Sequence, residues 1–184
     1  MVVSLVALVF LGPLILVCSY MASRDTNATG IFSQERIGRN GKHFKVYKIR
    51  TMKDRKGTTI TSSADDRITA LGTKLRKYKL DELPQLWNVF VGDMSFVGPR
   101  PDVPGYADKL TGEEKVLLTL RPGITGPATL KYRNEEVLLS KQDDPESYNR
   151  NVIWPEKISI NMSYLKEYSF YKDMKIIFQT VFGK

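Results

Sequence analysis

Cysteine and histidine are almost missing from this chain: Cys18 and His43 are the single representatives among 184 residues. One cysteine excludes an intrachain disulfide and a cysteine metal cluster, and one histidine excludes His-rich metal sites and makes a Ser-His-Asp triad a poor fit. Carboxylates are left as the candidate chemistry. Cys18 sits in an apolar stretch, which fits a reducing, cytoplasm-facing body. Charge is also missing where its absence is most informative. Residues 1–21 carry no charged side chain, so the formal +8, from 28 Lys and Arg against 20 Asp and Glu, belongs entirely to residues 22–184. That surplus draws polyanions of several kinds and does not by itself separate nucleic acid, lipid headgroups and nucleotide diphosphates. No internal repeat and no low-complexity region is found.

The charge-free segment reads MVVSLVALVFLGPLILVCSYM. As a straight helix it is about 31 Å long, enough to cross a hydrocarbon core of about 30 Å. It lacks the basic start of a secretory signal peptide. Gly12-Pro13 lies near its middle, where the proline removes a backbone donor and crowds the preceding turn, so a sharp bend is expected there. Bent, the helix re-enters the leaflet it came from; unbent, it is a single span with a tolerated proline. The residues alone leave both open.

Ile31 to Met52 contains two β-capable runs flanking Asn40-Gly41, the pair that suits a type I′ turn, and predicts a β-hairpin. The polar stretch 53–64 predicts a surface loop or lid. Asp66 precedes a stripe of Ile68, Leu71, Leu75 and Tyr78, which predicts an amphipathic helix capped by Asp66 and ending near Lys79. A second helix is predicted by Leu83, Leu86, Trp87 and Phe90, with Pro84 in its first turn and Asp81 and Glu82 at its start. Residues 92–105 and 121–127, dense in Gly and Pro, predict loops. No element is assigned to 132–151. Ile158, Met162, Leu165 and Tyr168 mark one amphipathic helix, and Phe170, Met174, Ile177, Phe178 and Val181 a second. Such stripes ordinarily face a core, but with Tyr164, Tyr168, Phe170 and Tyr171 interleaved with lysines they also suit a membrane interface.

The strongest constellation is LDELPQL, residues 80–86. Unpaired N–H groups at a helix start stabilise negative charge, so a carboxylate there stays ionised and a phosphate docks beside it. An ordinary Asp N-cap with a first-turn Glu explains the same pair. Its company changes the balance. Arg76 lies just upstream, and Arg100 is held between Pro99 and Pro101, whose rings limit backbone freedom; fixed guanidinium groups suit phosphate. Asp81 and Glu82 with phosphate oxygens also make a site for a divalent ion such as Mg²⁺.

The runs QERIGRNGKHFKVYKIRTM (34–52), LDELPQLWNVFVGDMSFVGPRP (80–101) and LRPGITG (120–126) resemble, in order and spacing, the signature blocks of the monotopic phosphoglycosyl transferases of bacteria. The resemblance implies an α+β, mainly helical fold: a re-entrant membrane helix (1–22), one β-hairpin, several amphipathic interface helices, and a catalytic domain (23–184) at the cytoplasmic face of the inner membrane. It implies transfer of a phosphosugar from a UDP-sugar to a polyprenyl phosphate such as undecaprenyl phosphate, through a covalent intermediate on Asp81 with Glu82 and Mg²⁺ assisting. Arg76, Arg100 and Arg121 would hold phosphate oxygens; Gln85, Pro99, Pro101, Lys48 and Arg50 complete the candidate substrate site. The family's usual Ser-Pro at the kink is Gly12-Pro13 here, and only eleven residues precede it. Membrane lipid is an expected partner, nucleic acid is not, and a homodimer is left open. The rival reading is a membrane-tethered basic module that binds lipid headgroups or nucleic acid without catalysis. It gives no reason for DELPQ and GPRP to occur together.

Overall fold

The computed structural model of the chain describes residues 1–54 and 65–183. Most of the loop or lid expected at 53–64 thus lies outside the described residues. The chain forms two compact units: 1–36, 43–54 and 65–94 make the first, and 37–42 with 95–183 the second.

The first unit begins with α1 (Val2–Thr26), a helix long and apolar enough to cross a membrane, and continuous through Pro13. Val2, Val3, Val9 and Phe10 in its first half are exposed. Its second half is different: Cys18 and Ala22 join Ile49 and Leu75 in a buried cluster, with Ile31, Leu71 and Leu80 packed against it. Full burial of a side chain such as Ile49 or Leu75 stabilises by about 1.5–3 kcal/mol, which anchors this end of the helix to the body. Asn27, in the left-handed conformation, ends α1. The chain then passes so close beneath the helix that a Cβ on Gly30 would lie 1.8 Å from the Ser19 carbonyl oxygen.

The hairpin forms as expected, from β1 (Ile31–Ile37) and β2 (His43–Ile49). At its tip the Lys42 N–H donates to the Arg39 carbonyl at 3.2 Å across Asn40 (φ 58°) and Gly41 (φ 74°), the two positive φ values of a type I′ turn. The next helix, α2 (Ala70–Lys77), starts later than expected. Its cap is Thr69, whose hydroxyl accepts the Gly72 N–H at 2.9 Å, and not Asp66. Ile68 is paired with Met52 in an antiparallel bridge, so the chain stays extended to that point and cannot begin to wind. α3 (Gln85–Val91) closes the unit and ends at Gly92 (φ 90°).

In the second unit the two stretches read as loops each contain a short strand. β3 (Ser95–Val97) pairs in parallel with β4 (Gly123–Thr125), Ser95 opposite Gly123 and Val97 opposite Thr125. Their glycines mark close backbone approach rather than turns. A Cβ on Gly98 would meet the Arg121 carbonyl oxygen at 2.4 Å, one on Gly123 the Gly98 nitrogen at 2.2 Å, and one on Gly126 the Gly98 oxygen at 2.2 Å. The stretch left unassigned holds two short helices, α5 (Glu135–Leu139) and α6 (Pro145–Tyr148), after α4 (Pro127–Lys131); a π-helical turn at Asn149–Ile153 leads into α7 (Trp154–Lys166).

The last helix, α8 (Phe170–Phe182), has two unlike faces. Ile176 packs with Val97 and Tyr164, and Thr180 shares a 2.7 Å hydrogen bond with Thr125 on β4. Tyr164, one of the residues read as interfacial, is instead buried, its hydroxyl donating to Asp173 at 2.6 Å. The opposite face, with Phe170, Tyr171, Met174, Phe178, Val181 and Phe182, is exposed. Apart from the partly buried Ile177, the expected apolar stripe of this helix therefore turns away from the unit's core.

Candidate active site

The end of α2 sets the site. The helix stops at Tyr78, and Lys79 adopts the left-handed conformation (φ 56°, ψ 23°), turning the chain into a 3₁₀ turn, Leu80–Glu82. Asp81 and Glu82 thus occupy a separate turn, three to four residues ahead of the helix that Pro84 introduces at Gln85. The expected N-cap geometry is not formed: Leu80–Glu82 close as a 3₁₀ turn, with the Leu83 N–H donating to the Leu80 carbonyl at 3.3 Å. Although Leu83 is itself helical (φ −55°, ψ −36°), Pro84 has no N–H to give, so the α-helical ladder starts beyond the pair.

Both carboxylates are buried, Asp81 at 8% exposure and Glu82 at 9%, but they are used differently. Lys48, on β2, places its Nζ 3.2 Å from Glu82 Oε1. Asp81 Oδ1 has no hydrogen-bond partner among the described residues. Burial and, after it, the charge of Glu82 push the Asp81 carboxyl above the usual carboxylate range, against the opposing pull of Lys48, Lys79 and Arg76 in that order. The helix terminus expected from the sequence therefore does not draw this carboxyl down: desolvation outweighs the neighbouring cations and raises its proton affinity.

The remaining candidates divide. Arg76 is oriented by Thr51, whose hydroxyl accepts from Nε at 3.0 Å, and by the Met52 sulfur at 3.1 Å. Gln85 is buried at the first turn of α3. Arg50 is placed elsewhere: its guanidinium donates to the Thr29 carbonyl (2.8 Å) and hydroxyl (3.2 Å) and stacks on the Phe32 ring, so it braces the α1–β1 connection. Pro99, Arg100, Pro101 and Arg121 belong to the second unit. There the Gly123 N–H donates to the Pro99 carbonyl (2.8 Å) and the Gly98 N–H to the Thr125 carbonyl (2.9 Å), so the GPRP and LRPGITG blocks form one backbone-locked platform carrying Arg100 and Arg121. Arg100 also borders a cavity of about 40 Å³ together with Trp154, Ile158 and Asn161. A larger groove of about 800 Å³, with Tyr132, Arg133 and Glu156 in its wall, is lined by none of the predicted site residues.

One residue that positions the site was missed in the sequence. Asn88 is fully buried on α3; its amide donates to the Lys45 carbonyl at 2.7 Å and its oxygen accepts the Tyr47 N–H at 3.3 Å. It clamps β2, and therefore Lys48, onto the helix that comes after the acidic pair. The signal was present: a polar side chain in the apolar run LWNVFV, three residues after Gln85 and so on the same helical face.

Comparison with known proteins shows which family the chain falls in. The family model described as bacterial sugar transferase matches residues 1–183. A Bacillus subtilis protein named putative undecaprenyl-phosphate N-acetylgalactosaminyl 1-phosphate transferase is 41% identical over 113 residues, 60% of this chain and 63% of that protein. The UDP-glucose:undecaprenyl-phosphate glucose-1-phosphate transferase of Escherichia coli is 32% identical over 188 residues, 98% of this chain and 38% of that protein. The exopolysaccharide production protein PSS of Rhizobium leguminosarum is 36% identical over 188 residues, 97% of this chain and 88% of that protein. The chain thus spans less than two thirds of the first two of these relatives. With the matched residues running from one end to the other and the paired acids set in a built site, the chain belongs to the bacterial sugar transferase family.

Proposed function

We propose that this protein transfers a sugar phosphate from a UDP-sugar to undecaprenyl phosphate, with Asp81 as covalent nucleophile. The observation that carries the reading is the asymmetry of the acidic pair: Glu82 is held by Lys48, while Asp81 Oδ1 is buried with no hydrogen-bond partner among the described residues. A carboxylate oxygen stripped of water and partners is a stronger nucleophile than a solvated one, and its raised proton affinity is the same property seen from the other side. In the first step an Asp81 oxygen bonds to the sugar-bearing phosphorus and the bond from that phosphorus to the UMP oxygen breaks, releasing UMP. In the second, a phosphate oxygen of the polyprenyl phosphate attacks the same phosphorus, the acyl phosphate bond breaks, and Asp81 is regenerated as the polyprenyl diphosphate sugar leaves. Arg76, Arg100 and Arg121 are proposed as phosphate ligands and Gln85 as a polar contact. The non-catalytic basic module is set aside by membership of a transferase family.

The residues also fit Mg²⁺. Among the described residues no cluster of three or more His, Cys, Asp or Glu side chains is present, so an all-protein metal cage is not what the pair offers. Mg²⁺ takes one or two carboxylates together with substrate phosphates, and Asp81 with Glu82 supplies that donor set. When bound, the ion would neutralise charge on the phosphate oxygens. We place the protein on the cytoplasmic face of the inner membrane, α1 re-entering the bilayer and the exposed apolar face of α8 lying among the headgroups.

The decisive experiment is release of UMP by the purified protein from a panel of UDP-sugars, with and without undecaprenyl phosphate. Labelled sugar phosphate should accumulate on Asp81 when the acceptor is withheld. Catalysis without any protein-bound label, or label on Glu82, overturns the mechanism.

A further inference from the structure

Three non-glycine residues hold positive φ angles among the described residues: Asn27, Asn40 and Lys79. Two are asparagine, the residue whose short polar side chain tolerates this region best. Lys79 is the exception. It lies just past the end of α2, where its N–H donates to the Arg76 carbonyl at 3.1 Å, a position at which glycine is usual because a Cβ costs roughly 1 kcal/mol there. A lysine retained at that cost calls for a reason, and the ordinary ones fail. Its side chain is exposed, so it fills no core. The C-terminal dipole of α2 is already served by Lys74, Arg76 and Lys77 in the last turn. It forms no ion pair with any described residue, and the cation stacked on Tyr78 is Lys77.

What the position does provide is proximity to the acidic pair. The Lys79 carbonyl accepts the Glu82 N–H at 3.4 Å, so this residue opens the very turn that carries Asp81. The left-handed backbone, unlike a continued helix, ends α2 and starts that turn with a single residue, and it leaves the ammonium two positions from Asp81. Its field at Asp81 is felt more strongly than that of Arg76. Lys48 is engaged with Glu82 and Arg76 is oriented by Thr51, whereas Lys79 carries an exposed charge beside a buried carboxylate oxygen that has no hydrogen-bond partner among the described residues.

We propose that Lys79 is a substrate-binding residue, its ammonium engaging a phosphate group that docks against Asp81. The inference rests on the transferase reading above and deepens it. Both substrates of that reading present the same chemistry, the diphosphate of the nucleotide sugar and the terminal phosphate of the lipid acceptor. A compact charge on a flexible stem suits a group that must meet each in turn.

The test exploits the backbone. Lys79→Gly removes the charge and relieves the strain, so the variant folds at least as well as wild type. Lys79→Met removes the charge and keeps both the strain and the length. Both should weaken binding of UDP, measured by calorimetry, about tenfold and flatten its dependence on salt, as expected for loss of one charge-assisted contact. Lys79→Arg should recover most of the affinity lost in Lys79→Met. Two activity arms separate the sources: UMP release without acceptor reports the donor, and discharge of the preformed labelled intermediate by undecaprenyl phosphate reports the acceptor. A loss in either arm supports the proposal and assigns the phosphate. Unchanged UDP affinity, salt dependence and rates in Lys79→Gly overturn it while leaving the transferase reading intact. A wild-type protein that neither binds UDP nor releases UMP from any UDP-sugar overturns both.

Discussion

Lys48 Nζ lies 3.2 Å from Glu82 Oε1, a contact between residues 34 positions apart that separates the roles of two adjacent acids. Lys48 stands on β2 and Glu82 on the turn before α3, so the bond ties the hairpin to the acidic pair. Lys48→Met should remove this orientation with little change in volume. The expected outcome is a fall in kcat of about a hundredfold with a smaller change in KM, because the loss falls on alignment of the reacting groups. A steady-state comparison with Glu82→Gln checks it: if Lys48 acts through Glu82, the double variant is no slower than the worse single one.

Asn88 should matter nearly as much without touching substrate. Asn88→Ala leaves the Lys45 carbonyl and the Tyr47 N–H without their partner and opens a void at a fully buried position. Each lost buried partner costs about 1–3 kcal/mol, so a loss of about 3 kcal/mol is expected in denaturant unfolding. Activity should fall further than the folded fraction explains, since Lys48 rides on the strand that Asn88 clamps.

Gly98→Ala tests the platform. The added Cβ would sit 2.4 Å from the Arg121 carbonyl oxygen, a backbone atom that cannot swing aside, so β3 and β4 must separate. We expect loss of cooperative unfolding or a fall of more than about 3 kcal/mol, in the class of severe overpacking. Gly105→Ala is the comparison: no atom lies within 4 Å of its added Cβ, and the expected cost is confined to its positive φ of 103°.

Much of this was legible from local pattern. The hairpin was signalled by Asn40-Gly41, α3 by its apolar spacing, and the acidic pair by its neighbours. What was not legible depended on partners distant in sequence. Thr69 replaced Asp66 as the cap of α2 because Ile68 bridges to Met52, 16 residues earlier. The glycines of the two presumed loops turned out to be the contact surface between them, since Gly98 and Gly123 lie 25 positions apart. Lys48 on β2 and Arg50, one residue past the end of that strand, stand two positions apart, yet Arg50 braces Thr29 and Lys48 holds Glu82. Strand alternation cannot choose between such fates; the elements packed on either side do.

The two faces of α8 predict its surroundings. Phe178 is 63% exposed while Ile176, two residues earlier, is buried. A small fluorophore on Phe178→Cys should be quenched by bromine-labelled lipid in vesicles containing the full protein, whereas the same label on Gln179→Cys, displaced about 100° around the helix, should be quenched less. Equal quenching at both positions, or none at either, would take the headgroup placement of this helix away.

Asp81→Asn should separate activity from stability. The substitution keeps the shape of the side chain but cannot form an acyl phosphate, so UMP release should fall to background. Stability should move the other way. Burial and the neighbouring Glu82 raise the Asp81 carboxyl above its ordinary value of about 3.9, so the folded protein holds this proton more tightly than the unfolded chain does. The associated stabilisation is therefore complete below that ordinary value and is lost as pH rises through the folded one. At neutral pH wild type carries a buried, ionised Asp81 that the variant lacks. Thermal unfolding in Mg²⁺-free buffer should accordingly show Asp81→Asn melting above wild type at pH 7, by a few degrees, with the gap closing as pH approaches about 4. The same displacement should place the acid limb of wild-type kcat/KM above the ordinary carboxylate range, since only ionised Asp81 attacks. A variant less stable than wild type at pH 7, or a gap that widens on acidification, would show that Asp81 is not held as a strained charge.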